Sequence, residues 1–309
     1  MGTIIYQEQF QQLLQHTFGT RIEVVKSQVA NRQQDYVVML LQLRRPTLEV
    51  VVKLAGPEAV MPSTFDRTAM LDRLVAAQTS IPMPETLAVN ISLDNWPWRY
   101  LIKTHIPGQE LALVRKKMSA DELSDAYRQI GEAVAQLHAI HFPWFGVLAL
   151  EEEILGGEEY FPALALHAQL IIRSARLRES FLSLLEAKKH LFQDVHQPCL
   201  CHEDLHGWNL LFQRRRGQWR LATILDFDKA WAGHCETDLA RLDFWRGMVS
   251  EAFWGAYQAV HAIDPRYPER RPIYQLLWCL EYAQMTAEHL ADTQRLCAEL
   301  SLPRIERFD

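Results

Sequence analysis

The chain has 309 residues, 49% hydrophobic and 23% charged, and its 32 basic and 38 acidic residues leave a net charge of −6. That length supports one large domain or two lobes with substantial cores, and the composition is that of a soluble globular protein. Mild acidity argues against general nucleic-acid binding, which needs a basic face, and no window reaches the roughly 18 uninterrupted apolar residues of a membrane span.

The opening "MGTIIYQEQF" lacks a basic start followed by an apolar core, so no signal peptide is expected. Tyr6 stands where a myristoylation signal beginning at Gly2 needs Ser or Thr. Cys199, Cys201, Cys235, Cys279 and Cys297 are odd in number and sparse, which points to reduced thiols and a cytoplasmic protein. Cys199 and Cys201 flank Leu200 at strand spacing, not at the C-x-x-C spacing of a zinc knuckle.

Phe10, Leu13, Leu14 and Phe18 recur on one helical face. Three β-rich runs follow, "RIEVVKSQV", "DYVVMLLQL" and "LEVVVKL", the last two joined by the turn "RRPT" as a hairpin. Helical spacing returns in "FDRTAMLDRLVAA", and the prolines of "SIPMPETL" end it. "WRYLIKTHIPG" reads as a strand running into a Pro107-Gly108 turn. Ser119 and Glu122 then form a capping box ahead of a helix whose apolar face runs through Leu123, Tyr127, Ile130, Val134 and Leu137. Residues 163–190, 236–261 and 272–300 also read as largely helical. Two short strands, "NLLFQ" and "QWRLATILDF", lie between them, separated by "RRRG", which reads as a solvated turn. A small β-rich lobe, residues 1–105, and a larger, mostly helical lobe, 106–309, are therefore expected.

"HEDLHGWN", residues 202–209, immediately precedes that hairpin, and "ILDFD", 224–228, ends it. Asp204, Asn209 and Asp226 thus sit at the ends of neighbouring strands. An acid, an amide and a second acid suit oxygen-loving Mg²⁺. Asn and Asp oxygens would hold the metal against nucleotide phosphates, and the remaining carboxylate would accept a proton from an attacking hydroxyl, which are the parts phosphoryl transfer needs.

His202, Asp204 and Asn209 followed by "DFD" resemble the H-x-D-x-x-x-x-N plus D-x-D pattern of the aminoglycoside phosphotransferase/choline kinase family. A chance H-x-D-x-x-x-x-N in such a chain is on the order of one in a hundred. "VVVKL", "LIKTHIPG", "AVAQLHAIH" and "DFDKAWAGHCETDLARL" resemble further family segments in the same order. The resemblance implies an α+β, two-lobed protein-kinase-like fold with a small antiparallel β lobe. It implies Asp204 as the base and Asn209 and Asp226 as Mg²⁺ ligands. Lys53 would pair nucleotide phosphates, and backbone groups near His105 and Ile106 would bond adenine. His202 would pack behind the loop, and Asp228 would hold a second metal or brace the turn. His206 reads as a loop or substrate-side residue.

Two departures stand out. The loop "KSQVANRQQDY" has no glycine to let backbone N–H groups approach phosphates, so Ser27 and Asn31 are the candidate donors. Arg67 and Thr68 occupy the place of the helix glutamate that should pair Lys53, with Asp66 one residue early.

Blander readings accompany several residues. Lys53 alone would read as an exposed strand lysine, and its position upstream of the loop pattern favours the nucleotide role. His138 reads as a core histidine, and Trp245, Trp254 and Trp278 as core rather than a cation cage. Glu151-Glu152-Glu153 with Glu158 and Glu159 reads as a solvated loop rather than the lining of a polycation pocket.

The function expected is an ATP- or GTP-dependent kinase acting on a hydroxyl of an aminoglycoside-like, amino-alcohol or sugar acceptor, as a monomer or homodimer. The stretch after "DFD" is too short for a peptide-seating activation segment and lacks A-P-E, which points to a small-molecule acceptor. The alternatives are a nucleotide-binding pseudokinase with a regulatory role and a metal-dependent hydrolase using His202, Asp204 and His206.

Overall fold

Residues 7–33, 35–61, 63–149, 154–245 and 247–309 are described by a computed structural model. Gly2, Tyr6 and Glu151–Glu153 lie outside the described residues. The chain forms two compact units. The first comprises Met1–Gln109, Leu211–Gln213 and Ala222–Lys229, and the second Glu110–Leu210, Arg214–Leu221 and Ala230–Asp309.

In the first unit, α1 (Gln7–Phe18) precedes β1 (Glu23–Gln33), β2 (Tyr36–Arg44) and β3 (Leu48–Ala55). α2 (Phe65–Gln78), β4 (Thr86–Asn90) and β5 (Arg99–Thr104) complete an antiparallel sheet of order β1-β2-β3-β5-β4. Alternation sorts the side chains between two faces. Val37, Met39, Leu41, Val50, Val52 and Ile102 pack with Phe10, Leu13 and Leu14 of α1. On the opposite face Ala55 and Leu101 pack with Phe65 and Ala69 of α2. Lys53 lies opposite Leu101 across β3 and β5 and two residues before Ala55, so it shares their face, the α2 face.

The expected loop "KSQVANRQQDY" is a correction. Residues 26–33 stay in β1, paired with β2 except at Ala30, with Ser27 opposite Leu41 and Asn31 opposite Val38. No glycine or proline lies between Lys26 and Gln33 to end the strand, and within it the ladder slips register once, between Val29 and Asn31. β4 is a strand that the proline-rich flank concealed.

The second unit begins with the short β6 (Gln109–Glu110) and α3 (Leu111–Val114). α4 (Ala120–His138) starts at the expected capping box, in which the Ser119 hydroxyl accepts from the Glu122 N–H and the Glu122 carboxylate from the Ser119 N–H. β7 (Phe145–Leu148), β8 (Ile154–Gly157), α5 (Tyr160–Ile171), α6 (Ala175–Ala187) and β9 (Cys199–Cys201) follow. β10 (Leu210–Arg215) and β11 (Gln218–Ile224), of which Leu211–Gln213 and Ala222–Ile224 belong to the first unit, form the expected hairpin, turning at Arg216 and Gly217. β12 (Trp231–Gly233), α7 (Glu236–Phe244), α8 (Glu251–Gln258), α9 (Tyr267–Tyr282) and α10 (Ala287–Glu299) complete it.

The three long helical stretches read from the sequence are therefore each divided. Ser174, Ser250 and Thr286 cap the helices that restart, each side chain accepting from an N–H three residues on. The half expected to be mostly helical also contains a four-stranded sheet, β8-β7-β12-β9, whose strands are too short to show a period. Glu158 and Glu159 are exposed, as a solvated loop requires.

α4 and α8 meet closely at Gly131, where a Cβ would lie 2.4 Å from the Phe253 carbonyl oxygen and 3.2 Å from the Ala256 Cβ. Gly131→Ala is expected to lower unfolding free energy by about 1–3 kcal/mol through overpacking. Urea denaturation checks this, and wild-type stability would mean the two helices can separate there without cost.

Candidate active site

The loop after β9 is held by one buried carboxylate. Asp238, fully buried on α7, accepts the backbone N–H of His202 at 2.7 Å and of Glu203 at 2.8 Å. His138 Nε2 lies 3.3 Å from the same carboxylate, and His138 Nδ1 lies 2.8 Å from the Tyr257 hydroxyl. Burying an ion costs several kcal/mol, whereas each hydrogen bond to a charged group returns roughly 1.5–3 kcal/mol. Burial pushes the Asp238 carboxyl up, but hydrogen bonds and charge from His138, with help from His202, more than offset it and hold the pKa below the usual value. The core reading of His138 holds, and its ring serves the loop.

Within the loop, His202 is fully buried and its Nδ1 accepts the Asp204 N–H at 3.2 Å. Asn209 Nδ2 donates to the Asp204 carbonyl at 2.9 Å, and the Asn209 N–H to the His206 carbonyl at 2.9 Å. Asp204 itself is half-buried. Its Oδ2 lies 3.8 Å from His206 Nε2, and its Oδ1 3.5 Å from Arg241 Nη1. Glu203 takes φ +62°, in the left-handed region that a non-glycine residue seldom adopts, directly before Asp204.

The hydrolase arrangement is not assembled, because His202 turns into the core and bonds its own loop. One cluster of possible metal ligands exists among the described residues: His138, Cys201 and Asp238, with ligand atoms within 4.8 Å of one another. Both Asp238 oxygens already accept loop N–H groups, and burial pushes the Cys201 thiol up to about 11, away from the thiolate a metal needs.

In the first unit, Lys53 is half-buried on β3. Burial pulls its ammonium down, and the charges of Asp228, Tyr36, Asp226 and Asp72 more than offset that, so its pKa ends above the ordinary lysine value. Asp226 is exposed and takes φ +68°. Asp228 accepts the Thr68 hydroxyl at 2.6 Å, and its carbonyl accepts from Arg67 Nη1 at 2.8 Å. The two residues that displaced the expected glutamate therefore grip the "DFD" segment, and Asp228 braces it. Asp66 instead accepts the N–H of Arg67 in the first turn of α2. The α2 acid that acts on Lys53 is Asp72, buried and 2.6 Å from Lys103 Nζ.

Ser27 and Asn31 are exposed on β1, and Ile106 is half-buried beyond β5. The backbone N–H of His105 donates to the Glu49 carbonyl at 2.9 Å, which removes it as an adenine donor. Trp278 is buried, as read, and packs edge-on to Trp245, with ring centroids 4.9 Å apart. Trp245 and Trp254 are half-buried.

The profile of the APH family, described as "Phosphotransferase enzyme family", matches residues 27–273. The chain belongs to this family. It is a phosphotransferase. No curated protein sequence matches the chain. Solved structures share the protein-kinase-like fold at low identity. A provisionally named fructosamine-3-kinase from Thermobifida fusca YX-ER1 has TM-score 0.66 and 16% identity, covering 94% of this chain and 97% of that one. A thermostable mutant of aminoglycoside phosphotransferase APH(4)-Ia has TM-score 0.62 and 17% identity, covering 94% and 97%. ADP-bound aminoglycoside phosphotransferase APH(2'')-Ib has TM-score 0.62 and 17% identity, covering 97% and 100%.

For a phosphotransferase of this family, the sequence reading overlooked Asp238, Glu203 and Arg241. Asp238 and Arg241 lie in the quoted "DFDKAWAGHCETDLARL", where two charges amid an apolar helix face were the available signal.

Asp238→Ala should cost about 3–5 kcal/mol, because it strands buried donors. The folded pKa of Asp238 is depressed, so its contribution is fully present above about pH 4, the unfolded value, and is lost as pH falls through the lower folded value. Urea unfolding from pH 7 to pH 2 is expected to show the stability gap between wild type and variant narrowing only below pH 4. A gap independent of pH would contradict the role given to this carboxylate.

Proposed function

We propose that this protein transfers the γ-phosphoryl group of ATP, or GTP, to a hydroxyl of an aminoglycoside-like, amino-alcohol or sugar acceptor. The observation that carries the reading is the loop geometry: an acid and an amide five residues apart, locked together by the 2.9 Å bond from Asn209 Nδ2 to the Asp204 carbonyl. Several of the similar structures carry nucleotides or aminoglycosides, among them APH(4)-Ia with AMP-PNP and hygromycin B, and APH(2'')-IIa with gentamicin.

Asp204 is the base. Its carboxylate takes the hydroxyl proton as the acceptor oxygen bonds to the γ-phosphorus and the bond to the leaving diphosphate breaks. Asn209 and Asp226 are the Mg²⁺ ligands. The donor set fits, because both offer hard oxygens and the amide nitrogen of Asn209 is committed to Asp204, leaving its Oδ1 as the remaining acceptor. Bound Mg²⁺ would neutralise charge on the phosphates. Lys53 binds phosphate oxygens with an ammonium that stays protonated. Ile106 supplies the adenine-bonding backbone, since the His105 N–H is engaged, and Ser27 and Asn31 contact phosphates from β1. Asp228 keeps the "DFD" turn in place through Thr68 and Arg67. No helix among the described residues is long and apolar enough to cross a membrane, and five free cysteines support a cytoplasmic setting.

The test is a thermal-shift titration with ATP and GTP, with and without Mg²⁺, on wild type and Asp226→Asn, followed by an acceptor panel. A nucleotide at 100 times its Kd stabilises by about 2.7 kcal/mol. A Mg²⁺-dependent rise in Tm that Asp226→Asn loses is expected. Asp204→Asn should keep the nucleotide shift and lose turnover by about 100- to 10,000-fold. A nucleotide shift without turnover on any acceptor would favour the nucleotide-binding pseudokinase, and no shift with either nucleotide would sink both readings.

A further inference from the structure

Arg241 of α7 is 3% exposed, yet three carboxylates reach it. Its Nη2 lies 3.2 Å from Glu203 Oε2 and 3.1 Å from Glu281 Oε2 on α9, and its Nη1 lies 3.5 Å from Asp204 Oδ1. The Trp278 ring lies beneath the guanidinium, 5.8 Å from Cζ to centroid. Glu203 is itself fixed, its Oε1 accepting from Trp231 Nε1 at 2.9 Å and its N–H donating to Asp238.

We propose that Arg241 is a positioning residue for Asp204, and that Glu281 sets the guanidinium through which it acts. The inference rests on Asp204 being the acceptor base. Asp238 fixes the loop backbone but does not choose a rotamer for a half-exposed aspartate. Arg241 does so by holding Oδ1, and Oδ2, 3.8 Å from His206 Nε2, is the oxygen that would receive the hydroxyl proton. A guanidinium has five donors in a rigid fork. Glu203 and Glu281 both take Nη2, one from the loop and one from α9, and this division leaves Nη1 for Asp204. Without Glu281 the fork can rotate fully onto Glu203, its nearest remaining carboxylate, and Asp204 loses its contact with Nη1. A lysine could supply the charge, but not two directed nitrogens.

A purely architectural ion pair would lower stability and leave turnover per folded molecule intact. A positioning role moves kcat and spares nucleotide binding, because Arg241 acts on the base alone. A misplacement of about 1 Å at a reacting group costs on the order of 100-fold in rate.

The experiment measures ADP release from Mg-ATP, with the best acceptor of the panel and with water as acceptor. It compares wild type, Arg241→Met, Arg241→Lys, Glu281→Gln and Asp204→Asn, with the Mg-ATP thermal shift recorded for each. Arg241→Met is expected to lower kcat about 100-fold and Glu281→Gln about 10-fold, with KM for ATP and the nucleotide-induced shift unchanged. Arg241→Lys is expected to recover part of the loss. Glu281→Gln keeps its size at a rim position, so it decides the matter if Arg241→Met fails to fold. Wild-type kcat in Glu281→Gln and in every folded Arg241 variant, beside an inactive Asp204→Asn, overturns the inference and leaves the base assignment standing. Equal ADP release by wild type and Asp204→Asn overturns the base assignment and the inference with it.

Discussion

The second unit depends on one carboxylate buried where water cannot reach it. Asp238 accepts two consecutive loop N–H groups and faces His138, so α7, α4 and the loop after β9 converge on a single charge. The bonds are short and charge-assisted, and they outweigh desolvation, as the lowered pKa of the group records. An apolar residue at this position could fill the space but could not satisfy the loop backbone, because buried N–H groups need acceptors. The loop can therefore carry a left-handed Glu203 and present Asp204 at the surface without relaxing.

A second buried pair steadies the helix that supplies Asp238. Arg270 of α9, fully buried, bonds both oxygens of Glu236 at 2.6 Å and also donates to the Leu191 carbonyl at 3.0 Å. Glu236 opens α7 and Asp238 and Arg241 follow on it, so one short helix carries three buried charges, each matched by groups from elsewhere in the unit. Such pairs contribute little net stability. Their worth lies in register, because α7 cannot slide or rotate without stranding at least one of them.

The first unit solves a different problem. Its sequence lacks the glycine-rich loop and the helix glutamate that the resemblance leads one to expect, and both departures have structural answers. β1 remains a paired strand where a loop was expected. On α2, Thr68 and Arg67 engage Asp228, while Asp72 serves the lysines from further along the helix. The charge around Lys53 is kept in balance by carboxylates from a loop and a later helical turn.

The loop motif, the "DFD" segment, Lys53, the hairpins and the capping box were all legible in the sequence, because each rests on short-range rules of spacing, alternation or capping. Ser119 and Glu122 are three residues apart, and Lys53 and Ala55, two apart on one strand, share a face. The strands of the β8-β7-β12-β9 sheet were not legible, since three or four residues carry no period. Nor were the partners of Asp238, Arg241 and Asp228. Asp238 meets His202 from 36 residues away and Thr68 meets Asp228 from 160, and no local pattern encodes which distant donor will fill a buried acceptor. The sequence by itself determined which residues could do the chemistry. Only the tertiary structure decided how each is held, because burial, and with it the strength of every charge, exists only once the chain has folded.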